Sequence, residues 1–208
     1  MAKSIKSQIK GLFPLFFALM VTSCITNITD NSHFTKNELD IINSGSDTTL
    51  MYIYSIYNPQ DTVILRSKSS DLAKEDILSE DFAKLKAIML NTVTDPEIDG
   101  VGLAAPQIGI NRRVVAVQRF DKPGYPFEVY PNINIIKFYG ELKNGPEGCL
   151  SVPGKSGIVP RYETVIISYF NDKTQKEEQD SVSGYSAIIF QHEVDHLEGI
   201  IYTDKMVE

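Results

Sequence analysis

The sequence predicts an α+β body in which short antiparallel strands pack with two main helices, the second close to the C-terminus. Three patterns predict it. Short β-branched and aromatic runs such as Thr164–Phe170 (TVIISYF) are bounded by turn residues. From Ser79 onward, apolar residues recur at helical spacing: Phe82, Leu85, Ile88 and Met89. A further helical stretch, Gly184–Leu197, follows the last strand.

Taken in order, residues 1–24 read as an address rather than as part of the fold. Lys3, Lys6 and Lys10 precede the apolar run Gly11–Val21 (GLFPLFFALMV), which is shorter than a membrane span and leads into Thr22-Ser23-Cys24. Small residues before a cysteine at the end of such a run resemble a bacterial lipoprotein signal, which would make Cys24 a lipid-anchored N-terminus. Thr22 and Ser23 depart from the pattern, where Ala or Gly is more usual. Residues 25–50 are rich in Asn, Thr, Ser and Asp and read as a polar tether, with a short helix around Glu38–Ile42.

The body occupies residues 51–208. Tyr52–Tyr57 (YIYSIY) is β-rich and is stopped by Asn58-Pro59, and Thr62–Leu65 reads as a second short strand or a turn. Ser79 is a natural N-cap for the helix that follows it, which ends near Asp95-Pro96. Gly100–Gly109 (GVGLAAPQIG) is a glycine-bearing loop with little room for side chains, and Arg113–Gln118 is a strand. Pro123–Pro126 forms a turn, Phe127–Ile136 extends again, Asn171-Asp172 turns the chain, and Glu177–Val182 pairs back on Thr164–Phe170.

The net charge is −7, and no long Lys/Arg run lies outside the leader, so nucleic acid is not an expected partner. Two cysteines, Cys24 and Cys149, exclude a disulfide-framed scaffold. The chemistry concentrates in Gln191-His192-Glu193-Val194-Asp195-His196. On a helix, residues four apart share a face, so His192 and His196 can hold one metal ion while Glu193 reaches a water beside it. Two of the three histidines of the chain fall in this motif. That favours a metal-binding helix over a helix with a chance core histidine. Cys149, in Glu147-Gly-Cys-Leu-Ser151, supplies a third donor as thiolate. Three protein donors leave a fourth position open, the mark of a catalytic rather than a closed structural site. Glu193 would then accept the water proton and pass it to a leaving nitrogen.

Three blocks, Gly100-x-Gly102-Leu-Ala-Ala-Pro-Gln107, Glu147–Ser151 and Gln191–His196, in this order and spacing, resemble the peptide deformylase family over about Val63 to Val207. The resemblance implies a catalytic domain that removes the formyl group from N-formylmethionyl peptides and releases formate. It implies one divalent ion, Fe(II) with Zn(II) as alternative, held by Cys149, His192 and His196, with Glu193 as general acid/base. By the same resemblance Gln107 and the backbone N–H of Leu150 stabilise the formyl oxyanion. Gly102 lets the peptide approach backbone to backbone. Val101, Leu150 and Ile188 are candidates for the methionine pocket, and Glu147 with Arg161 for a supporting ion pair.

Some features depart from the family pattern. Pro131-Asn132 stands where the family has Asn-Pro, Ser156 lacks the basic residue some members carry, and no extension of the ribosome-docking kind is seen before Glu208. The leader places such an enzyme on a bacterial membrane facing outside the cytoplasm, with a cytoplasmic enzyme as the alternative. A second function class is a catalytically weak lipoprotein of the same fold that binds formyl peptides or metal. A metalloprotease reading explains the helix motif but neither the Cys149 block nor the glycine-bearing loop.

Overall fold

A computed structural model describes Met1, residues 32–46 and residues 48–207. Cys24 and the leader therefore lie outside the described residues. No helix among those described is long and apolar enough to cross a membrane.

Five α-helices and six strands are described: α1 (Lys36–Ile42), α2 (Pro59–Leu65), α3 (Lys74–Ile77), α4 (Glu80–Val93), β1 (Gly102–Ala104), β2 (Val114–Gln118), β3 (Phe127–Pro131), β4 (Asn134–Gly148), β5 (Ser156–Asn171), β6 (Lys176–Ser183) and α5 (Gly184–Leu197). The strands form two antiparallel three-stranded sheets, ordered β1-β2-β3 and β4-β5-β6. This is the α+β architecture the sequence predicts.

The period of two along β2 explains how the layers assemble. Val114 and Ala116 point to one side, into a core with Phe82, Leu85 and Met89 of α4. Val115 and Val117 point to the other, into a core with Ala187 and Phe190 of α5 and Val165 and Ile167 of β5. The first sheet is thus covered on both faces, and α5 is enclosed between the sheets. Helix α4 starts where expected, with Ser79 accepting from the Phe82 N–H, and α5 spans the residues the sequence assigned to it.

The structure corrects several expectations. Tyr52–Tyr57 is not a strand. Its N–H groups go to two different loops, Tyr54 to the Gln107 carbonyl (2.7 Å) and Ile56 to the Ser151 carbonyl (3.1 Å), so no ladder forms. Thr62–Leu65 is the end of helix α2. Asn58-Pro59, read as a stop, is its start: Asn58 caps the Gln60 N–H and Pro59 occupies the first turn, where its missing N–H costs nothing. The Pro131-Asn132 inversion keeps a turn, with Asn132 at φ +53 and its amide bonded both ways to the backbone of Leu72 at 2.8 and 2.9 Å.

The short helix expected around Glu38–Ile42 is present as α1, though it packs on the body rather than lying in a free tether. Thr35 and Glu38 form a capping box that starts α1, and Ile42 is buried in the α4 core. Glu38 pairs with Arg112 at 2.8 to 3.0 Å, both side chains less than a tenth exposed. Removing one partner of a buried pair leaves an uncompensated charge. Glu38→Ala is therefore expected to cost about 3–5 kcal/mol of stability, read as a lower urea midpoint.

Candidate metal centre

Helix α5 presents His192 and His196 on one face, ring centroids 5.1 Å apart. The turn between β4 and β5 brings Cys149 to them, its Sγ 3.2 Å from His196 Nε2. One ligand atom from each of Cys149, His192 and His196 lies within 4.8 Å of the others. Buried His196 Nδ1 and Glu193 Oε2 have no hydrogen-bond partner. A cysteine sulfur with two imidazoles, beside a carboxyl with one oxygen unpartnered, is a donor set that fits one divalent ion and an adjacent water.

The surroundings fix the protonation chemistry. Burial would lower the His192 pKa, but Cys149 and Glu147 outweigh it and raise it to about 10, a proton that a bound cation would displace from the ring. Burial drives His196 well below its ordinary value, so it stays neutral with a lone pair to offer. Burial pushes Glu193 up to about 7, with the Glu147 charge adding and the charges of His192 and Arg161 opposing. A carboxyl near neutrality is matched to moving a proton both ways. Glu147 also feels burial, yet its bonds to His192 and Arg161 hold it down to about 2.

Sequence-predicted residues converge on a single pocket of about 310 Å³. Its lining includes Val101, Gly102, Gln107, Leu150 and Ile188 together with Cys149, His192 and Glu193. Gln107 is buried in a 3-10 turn (Ala105–Ile108). Its Oε1 accepts from the Ala104 N–H (2.8 Å), and its Nε2 donates to Ser151 Oγ (3.2 Å) and faces Cys149 Sγ (3.7 Å). The amide is thereby oriented with its donor end toward the Cys149 turn. Glu147 and Arg161 form the expected pair, at 2.7 and 3.0 Å.

Gly102 has a reason the sequence did not supply. A Cβ there would collide with Glu193 Oε1 and come within 2.8 Å of Ile189 Cγ2. The glycine makes room for the carboxyl itself, and β1, at the edge of its sheet, passes directly over it. Gly102→Ala is expected to displace Glu193 and lower kcat/KM roughly 100-fold, since misplacement by about 1 Å has that effect. Steady-state kinetics beside a thermal melt would separate this from unfolding.

Other groups at the site escaped sequence reasoning. Ser151 orients Gln107, Ile189 packs against the Gly102 strand, and Tyr185, half-exposed, stands at the pocket mouth. Asp195 is buried and accepts from Arg161 Nη1 at 2.6 Å. Its signal was a charged residue inside the metal motif.

Comparison with known proteins agrees with this geometry. The family model described as polypeptide deformylase matches residues 53–208. A peptide deformylase of Symbiobacterium thermophilum is 42% identical over 142 residues, which cover 68% of this chain and 62% of that relative. One from Leptospira biflexa is 37% identical over 161 residues, covering 74% of this chain and 86% of the relative. The Met-Ala-Ser-bound crystal structure of the class I type b peptide deformylase of Acinetobacter baumannii superposes with a TM-score of 0.67 at 32% identity. It covers 76% of this chain and 99% of that one.

Proposed function

The chain belongs to the polypeptide deformylase family, and we propose that it removes the formyl group from N-formylmethionyl peptides, giving formate and a free α-amine. One observation carries this reading. The buried Glu193 carboxyl, one oxygen without a protein partner, stands beside the Cys149, His192 and His196 donors in a pocket that also holds Gln107 and Leu150.

Cys149, His192 and His196 would hold one divalent ion, Fe(II) by family likeness or Zn(II), since this donor set suits both. When bound, the ion supplies Lewis acidity that acidifies a water and polarises the formyl carbonyl. Glu193 takes the proton of the attacking water and delivers it to the amide nitrogen as the C–N bond breaks. Gln107 Nε2 and the Leu150 N–H donate to the formyl oxygen as negative charge develops on it. Val101, Leu150 and Ile188 take the methionine side chain, and the outer edge of β1 at Gly102 takes the peptide as an added strand.

A time course with formyl-Met-Ala-Ser and the metal-loaded full chain tests this. Formate in excess of protein is expected. A plateau at or below one formate per chain, with peptide retained, would make it a binding protein, and cleavage of internal peptide bonds would make it a protease.

We further propose that residues 1–24 direct the chain out of the cytoplasm and that Cys24 carries a lipid anchor. The enzyme would then act on secreted or scavenged formyl peptides. The support is the basic, apolar and small-residue order of Lys3 to Cys24, together with a family match that begins only at residue 53. Palmitate should label the wild type and not Cys24→Ala. An unlabelled wild type would overturn the lipid anchor.

A further inference from the structure

We infer that Lys205 is a positioning residue for the metal centre, acting on His192 through a chain of buried charges. This rests on the metal-site reading above and adds a residue to it.

A ligating imidazole needs its second nitrogen held by an acceptor, which fixes the tautomer and the ring orientation. Here Glu147 Oε2 lies 2.9 Å from His192 Nδ1. Glu147 is gripped by Arg161 through Nε and Nη2, and the remaining end of the guanidinium, Nη1, donates to Asp195 Oδ2 at 2.6 Å. The other oxygen of Asp195 accepts from Lys205 Nζ, also at 2.6 Å. The order outward from His192 is carboxylate, guanidinium, carboxylate, ammonium. Glu147, Arg161 and Asp195 are all buried, while the Lys205 side chain is 39% exposed and closes the chain at the surface.

The alternation explains why Lys205 matters. Without its ammonium the three inner groups carry a net negative charge, and both carboxylates depend on one guanidinium. Arg161 is then drawn toward Asp195 at the expense of Glu147, and the imidazole loses part of its orientation. The segment that delivers Lys205 is itself fixed to the site. Asp204 accepts from Arg66 and from the Ile201 N–H (2.9 Å), and the Tyr202 ring lies near-parallel to His192 with centroids 6.1 Å apart. Lys205 therefore reports to the metal-binding ring from a rigid turn rather than from a loose end.

The test measures zinc affinity of the full-length chain by chelator competition, and the visible absorption bands of the cobalt-loaded chain, in wild type, Lys205→Met and Lys205→Arg. Lys205→Met is expected to weaken zinc binding about 3-fold, less than the roughly 10-fold that follows loss of a ligand's direct outer partner. It should also shift the cobalt bands. Lys205→Arg, which keeps the charge, should restore both. Affinity and bands unchanged in Lys205→Met, or a loss that Lys205→Arg does not recover, would overturn the role of Lys205 alone. Zinc binding by wild type that is indifferent to Cys149→Ala would overturn the metal-site reading on which it rests.

Discussion

Glu193→Ala is expected to lower kcat/KM for formylmethionyl peptides by roughly 10²–10⁴-fold, the range that general acid–base catalysis contributes. Metal content should not change. The carboxyl is not among the three donors that cluster at the site, and its Oε2 makes no protein hydrogen bond, so no structural contact is lost with that atom. Kinetics paired with elemental analysis separates the possibilities. Activity lost with the ion retained is the result for a proton carrier. Ion lost together with activity would mean that Glu193 is a ligand instead.

Cys149→Ala is expected to remove both the ion and the activity. Its Sγ is the only sulfur donor in the set, and the two imidazoles alone come from one face of α5. Without the thiolate they offer a two-donor site, which holds a divalent ion far more weakly than three donors do. Secondary structure should survive, because Cys149 sits in a turn between two long paired strands and only borders a core cluster. Far-UV circular dichroism beside metal analysis checks this. A variant that keeps its ion would show that the metal is held elsewhere.

The parts of the molecule that were legible in the sequence are those where local pattern and tertiary role agree. α5 is one: its motif requires a helix, and its apolar residues Ala187, Ile189 and Phe190 are the ones that meet the core between the sheets. α4 is another, with a capping serine and an apolar stripe that both hold. Cys149, His192, His196 and Glu193 could be picked out from motif spacing, and Gln107 only through the family resemblance; the structure brings all five side chains to one site.

What was not legible depends on distant partners. Tyr52–Tyr57 has strand composition, yet its hydrogen bonds are claimed by the Gln107 and Cys149 loops. β4 runs through Gly140, Gly145 and Pro146, which locally signal turns. They are tolerated because β4 is an edge strand whose register shifts near Gly140, at φ +82. The helix α1 was legible around Glu38–Ile42, but its docking was not: its polar residues conceal one buried Glu38 and one buried Ile42, whose partners lie far along the chain. The same holds for Asp195 and Lys205, which matter only through Arg161.

The account turns on Cys149, His192 and His196 holding the ion that deformylation needs. The most direct test strips the full-length chain with a chelator and returns iron anaerobically while following formate from a formylmethionyl peptide. The expected result is no formate from the stripped chain, and activity that rises with added iron and levels off at one ion per chain. Formate release that is indifferent to chelation, or a chain that holds one ion at these residues and yet releases no formate, would contradict it.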